Sequence, residues 1–214
     1  MSLKILHHNM QGGAGRLAGL EHLLLQHDVD VACLQETHFA PSLMRLGHYL
    51  VYSAPPCVGG HGVAILVRSS IRSRPLIVAL APDLGLEFAG VTIYLQSREV
   101  AVFSLYATPA VRSSADSWAM LSPLLYPYSV VCGDFYAHHH VWDSGARPDR
   151  RGRHVMAWME TNALVLLNDA SPRGWGRPDN VIPPLTSLSL PPDSGYPQHG
   201  PVCRTLTAAT TTPA

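Results

Sequence analysis

The sequence predicts an α/β fold. Three observations carry this: a strand–helix–strand opening within the first 35 residues, a run of short apolar strands from about residue 47, and a second helix–strand alternation reaching residue 168. Leu3 to Met10 reads as a strand, followed by the glycine-broken turn Gly12-Gly13-Ala14-Gly15. Leu17, Leu20, Leu23 and Leu24 recur at three- and four-residue steps, which predicts a helix from about Arg16 to His27 with one apolar face. Asp30 to Gln35 is a buried strand ending in Glu36. Apolar or alternating runs then predict strands at His48–Ser53, Gly62–Val67, Leu76–Leu80, Glu87–Leu95 and Val100–Tyr106. A helix over Ser113–Leu125, a strand from Ser129 to Cys132, a helix from about Gly152 to Asn162 and a strand from Leu164 to Asn168 follow.

The composition changes near Pro178. The last 37 residues contain eight of the 18 prolines and only three charged side chains, so 173–214 is expected to be an irregular tail after a domain spanning 1–172. Formal charge is zero, from 15 basic and 15 acidic side chains, so polyanion binding would need a local patch. Arg147, Arg150, Arg151 and Arg153 supply one; the cluster reads either as a phosphate grip or as arginine-rich codon usage. Four cysteines lack any paired spacing, and Cys33 and Cys132 fall inside apolar runs, which suits core positions in a reducing compartment. With no signal-peptide pattern and no bilayer-length apolar run, the chain reads as soluble and intracellular.

Three polar residues interrupt strand ends: Asn9, Glu36 and Asp134. In α/β folds the carboxyl ends of strands meet at a crevice, and two carboxylates with an amide form an oxygen-rich set suited to a hard cation such as Mg²⁺. Each alone reads equally as a capping or surface residue. Tyr106 closes its strand as a rim aromatic, or as a hydroxyl donor near an anion. His138, His139 and His140 lack the one-face spacing of a zinc motif; one is expected to pack beneath the site, the others to meet solvent.

In order along the chain stand His-Asn9-Met-Gln-Gly, Leu-Gln35-Glu36-Thr, Ser-Leu-Tyr106-Ala-Thr-Pro and Gly133-Asp134-Phe135 with Ala137-His138-His139. Together they resemble the endonuclease/exonuclease/phosphatase superfamily. Trp142, Arg151-Gly152-Arg153 and Leu166-Leu167-Asn168 are similar to the apurinic-like endonucleases of non-LTR retrotransposons, and within these they most resemble the trypanosome type. The resemblance covers about residues 3–172. It implies a four-layer α/β sandwich, two packed mixed sheets with helices outside. It also implies Mg²⁺ or Mn²⁺ bound by Glu36 and Asp134, with Asn9 in the metal-site network, Tyr106 on the scissile phosphate and Asp134 on the attacking water. Gln35 and His138 would support these groups. The substrate would be double-stranded DNA, in the nucleus, and the nick would prime a reverse transcriptase domain of the intact element.

Two departures weaken the match. The family motif reads Gly-Asp-Phe-Asn, whereas this chain has Tyr136, whose ring is expected to intrude on the metal or phosphate position. Loss of one preorganised donor costs roughly 10²–10³ in rate. No Ser-Asp-His motif follows; Asp193-Ser194 and His199 are the nearest candidates, and a missing general base costs about 10²–10⁴. The last strands are therefore expected to be missing, as after truncation or a frameshift. The expected function is a weakened or inactive endonuclease, with a non-catalytic DNA-binding or interaction remnant as the alternative.

Overall fold

The computed structural model describes residues 3–12, 14–38, 44–54, 60–77, 84–96, 98–125, 127–143 and 145–167, together with strands at 186–188 and 204–209. Strand β1 (Leu3–Asn9) lies parallel to β2 (Val31–Gln35), joined by helix α1 (Leu17–Gln26). β4 (Val63–Arg68) pairs antiparallel with β2 and with β3 (Tyr49–Ser53). The second sheet is built around β6 (Leu86–Tyr94), β7 (Glu99–Ala107) and β8 (Ser129–Asp134), with β5 (Ser73–Leu76) on one edge. Helices α2 (Ala115–Ala119) and α3 (Arg150–Thr161) follow β7 and β8, and β9 (Leu164–Leu166) ends this stretch.

Alternation along the strands sorts side chains into two faces. Leu3, Ile5, Val31, Cys33, Val63, Ile65 and Val67 face Ala89, Val91, Ile93, Val100, Val102, Val130 and Cys132 across the space between the sheets. The opposite face of the first sheet, Ala32, Leu34, Ala64 and Leu66, buries Leu20 and Leu24 of α1. The opposite face of the second packs Phe88, Phe103, Leu105 and Val131 under Trp118, Val155, Trp158 and Met159 of α2 and α3. The order helix, sheet, sheet, helix is the four-layer α/β sandwich the motifs imply. Cys33 and Cys132 are buried free thiols of the inter-sheet core. No helix among the described residues is long and apolar enough to cross a membrane.

Three expectations change. The segment 113–125 is not one helix: α2 stops at Ala119, and a 3₁₀ turn covers Ser122–Leu124. Pro123 has no N–H to give the Ala119 carbonyl, so the helix cannot continue through it. The strand expected at Leu76–Leu80 occupies Ser73–Leu76 instead, and residues 78–83 lie outside the described set. The tail is not irregular throughout, and the closing strands are not all missing. β10 (Thr186–Leu188) pairs antiparallel with β1, and β11 (Arg204–Ala209) lies parallel between β8 and β9. Backbone hydrogen bonds to an existing edge define these strands, and such pairing needs no hydrophobic alternation to signal it in sequence.

The crowding at the β7–β8 seam is severe at Gly133, where an added Cβ would lie 2.2 Å from the Leu105 carbonyl oxygen. Leu105 is the register partner of Gly133. Gly133→Ala is expected to destabilise the protein by about 1–3 kcal/mol through forced backbone displacement, read as a lower urea midpoint with the slope unchanged.

Candidate active site

The carboxyl ends of β1, β2, β7 and β8 meet at one rim. Asn9 is the register partner of Gln35, and Tyr106 of Asp134, so the motif residues of both sheets reach the same level. Backbone bonds from Met10 N–H to the Gln35 carbonyl (2.8 Å) and from Gly12 N–H to the Glu36 carbonyl (2.9 Å) extend the β1–β2 contact past the last paired residues.

Asn9 is the centre of the arrangement. Its Nδ2 donates to Glu36 Oε1 at 2.9 Å and, through the other hydrogen, to Asp134 Oδ2. Its Oδ1 accepts the Gln11 amide at 2.8 Å, which sets the side chain's orientation. The two carboxylates thus come from different sheets and share one neutral amide. Asp134 is fully buried, and its Oδ1 has no hydrogen-bond partner. Burial, helped by the Glu36 charge and opposed by the Asn9 hydrogen bond, raises the Asp134 carboxyl to about 6. A buried, unpaired carboxylate oxygen beside a second carboxylate is the donor set a hard divalent cation requires, so the residues present fit one.

Tyr106 is buried, with its ring 5.7 Å from that of Tyr136 in an edge-on contact. Burial first, then hydrogen bonding with the Tyr136 hydroxyl and the neighbouring carboxylates, pushes its phenol upward, so it remains a protonated donor. Tyr136 does project into the site: its hydroxyl donates to Glu36 Oε1 at 3.3 Å. It also sits at φ +43°, a left-handed conformation in which asparagine is several-fold enriched and a bulky residue is strained.

The remaining candidates divide. Gln35 is buried between the sheets, its Nε2 on Ser104 Oγ at 2.9 Å, and it holds β2 to β7 instead of touching the carboxylates. His139 is the buried member of the histidine run, stacked on His140 and in tilted contact with Trp142; His138 is half-buried, its carbonyl accepting the Asp149 amide at the start of α3. Arg147, Arg150 and Arg153 are exposed, whereas Arg151 is half-buried. The Arg151 guanidinium donates to the carbonyls of Phe135, Tyr136, Thr108 and Val111, so it clamps the loops after β7 and β8 and is not placed as a free member of the basic patch. Asp193, Ser194 and His199 lie outside the described residues.

The structure adds two histidines. His38 Nε2 lies 3.8 Å from Glu36 Oε2, and His61 Nδ1 lies 3.3 Å from His38 Nε2. His38 had a sequence signal, being two residues past Glu36; His61 had none, because only β2–β4 pairing brings it there.

The chain belongs to the endonuclease/exonuclease/phosphatase family, whose model matches residues 6–193. It is 28% identical over 157 residues to a Drosophila melanogaster protein described as a probable RNA-directed DNA polymerase from transposon X-element. That alignment takes in 71% of this chain but only 17% of the relative. Among solved structures it is similar to the endonuclease domain of TRAS1, a telomere-specific non-LTR retrotransposon. The TM-score is 0.60 at 20% identity, over 78% of this chain and 74% of that one. The Xenopus laevis APE2 catalytic domain aligns at TM-score 0.50 and 17% identity, over 76% of this chain and 68% of that one.

Two outcomes follow from the geometry. Because the folded-state pKa of Asp134 lies above the ordinary carboxylate value, its contribution to stability is complete below about pH 4 and is lost as pH rises through about 6. In metal-free protein, urea unfolding should show wild-type stability falling by on the order of 2–3 kcal/mol across that window relative to Asp134→Asn. Arg151→Ala should lower stability by about 1.5–3 kcal/mol, since charge-assisted bonds to carbonyls are lost. Arg150→Ala should stay within about 0.5 kcal/mol of wild type in the same thermal melts.

Proposed function

We propose that this chain is a divalent-metal-dependent DNA-nicking endonuclease of the kind carried by non-LTR retrotransposons, with its turnover weakened by Tyr136. The observation that carries the reading is the Asn9 amide shared by Glu36 and Asp134, with Asp134 Oδ1 buried and unpaired. Mg²⁺ or Mn²⁺ held by Glu36 and Asp134 would supply charge stabilisation on the scissile phosphate and the leaving 3′-oxygen.

The chain's own groups divide the remaining work. Asp134, ionised above about pH 6, accepts a hydrogen bond from the attacking water and aims it at phosphorus. Tyr106 keeps its proton and donates it in a hydrogen bond to a non-bridging phosphate oxygen. Asn9 holds the two carboxylates at a fixed separation. Exposed Arg147, Arg150 and Arg153 offer phosphate contacts on the flanking duplex. In the intact element the nick would present a 3′-hydroxyl, in the nucleus, to a reverse transcriptase domain; the Drosophila relative's description as a probable RNA-directed DNA polymerase supports such a domain.

Tyr136 supports the weakened form of this reading. Its hydroxyl competes for the Glu36 oxygen that a cation would need, and a rigid ring replaces the short amide of the family motif. Removing one such donor lowers turnover by roughly 10²–10³.

Supercoiled plasmid incubated with Mg²⁺ and the full chain tests both parts. Tyr136→Asn is expected to nick at least about 100-fold faster than wild type, and Glu36→Ala to be silent. Equal rates for wild type and Tyr136→Asn would remove Tyr136 as the lesion. Undiminished nicking by Glu36→Ala would remove the site itself.

A further inference from the structure

Glu36 presents its two oxygens to different neighbours. Oε1 receives the Asn9 amide and the Tyr136 hydroxyl, on the side of Asp134. Oε2 faces the other way, 3.8 Å from His38 Nε2, and His38 Nε2 is in turn 3.3 Å from His61 Nδ1. The three ligand atoms lie within 4.8 Å of one another. Zinc–nitrogen bonds of about 2.0–2.1 Å in a tetrahedral site set ligand atoms roughly 3.3 Å apart. The His38–His61 edge already has that length at 3.3 Å, the His38–Glu36 edge is 3.8 Å, and His38 is exposed.

The scaffold behind these side chains is tightly specified. His38 N–H donates to the His61 carbonyl at 2.8 Å, and Thr37 N–H to the Gly62 carbonyl at 3.2 Å, which continues the β2–β4 pairing beyond its last strand residues. Both oxygens of the buried Glu87 carboxylate accept backbone amides at 2.8 Å, one from His61 and one from Gly62. Gly62 has φ +83°, and a Cβ there would meet Thr37 Oγ1 at 2.4 Å, so only glycine permits this close approach. The His61 ring leans on Tyr106, with centroids 4.9 Å apart. Glu36 and His38 are both held at positive φ, near +50°, which turns their side chains off the regular pleat.

We propose that Glu36, His38 and His61 form a second metal site, which takes a borderline transition ion of the zinc class. Two imidazoles and one carboxylate suit such an ion, whereas Mg²⁺ prefers oxygen ligands and retained water. Three protein ligands leave one coordination position to water or a substrate oxygen. Because Glu36 belongs to both sets, an ion held by the histidines draws on the carboxylate that the Asn9 side of the rim also needs. The site is therefore a point at which a transition metal and Mg²⁺ compete.

Metal binding is measurable without any nuclease turnover, so the test is independent of the nicking assay. Metal-free full-length chain is titrated with Co²⁺, followed by its visible ligand-field absorption, and Zn²⁺ is then added to displace it. Wild type should show one tetrahedral Co²⁺ band that Zn²⁺ bleaches. His61→Gln and His38→Gln should each lose that band or bind more than about tenfold more weakly. Asp134→Asn should retain it, because Asp134 belongs only to the other set. Near-UV circular dichroism of the metal-free variants, matched to wild type, establishes that they fold. Wild-type Co²⁺ spectra and stoichiometry in both histidine variants would overturn the proposal and leave the two imidazoles sharing a proton. Loss of the band in Asp134→Asn alone would overturn it too, by assigning the ion to the other carboxylate.

Discussion

One side-chain amide joins the two halves of the molecule at the rim. Asn9 extends from the end of β1 in the first sheet and donates to Glu36, one residue past β2, and to Asp134, the last residue of β8 in the second sheet. The carboxylates would repel one another if brought together unaided. A neutral donor between them lowers that repulsion without supplying a charge, and this leaves the pair able to receive one. The packing of the sheets follows the same demand: Gln35 bridges β2 to Ser104 on β7 just beneath, so the rim cannot shear without breaking a buried hydrogen bond. Buried hydrogen bonds of this kind are costly to leave unmade.

Backbone strain gathers around that link. Six non-glycine residues have positive φ among the described residues, and four of them, Gln11, Glu36, His38 and Tyr136, surround the rim. Such conformations cost on the order of 1–3 kcal/mol each and persist only where the surroundings over-determine them. Here the surroundings are paired strands that end together and a carboxylate, Glu87, that fixes the facing loop through two amides. The strain turns side chains out of the alternating pleat and toward a common point, which regular strands could not do.

The rim brings two carboxylates together around one neutral amide. Asp134 is buried and its charge is held against the surrounding protein, while Arg151 is engaged with four carbonyls of the loops after β7 and β8. An arginine beside Asp134 would have lowered its carboxyl and filled the need for positive charge; the fold places that arginine elsewhere. The raised Asp134 carboxyl is thus a consequence of burial and of Glu36, and both would be relieved by a divalent ion.

Much of this was legible in the amino-acid sequence. Alternation at Leu3 and Ile5, at Val63, Ile65 and Val67, and at Val100 and Val102 marked the strands whose inner faces form the core, because period-two burial is a local consequence of the pleat. Asn9, Glu36 and Asp134 stood out as polar residues at the ends of apolar runs, and they do converge. Other features depended on partners remote in sequence. Pro123 divided an expected helix, and β10 and β11 formed by pairing with edges supplied by β1, β8 and β9, which no local pattern in a proline-rich tail discloses. Arg151 looked like its neighbours in sequence, and only the approach of the loops after β7 and β8 made it a clamp. His61 acquired its place beside His38 and Glu36 through β2–β4 register alone. The sequence by itself determined which residues are apolar, which are polar and where the core strands of both sheets run, because period-two burial is local. Tertiary structure decided which polar groups meet, because sheet pairing sets distances between residues that the chain separates by 25 to 125 positions.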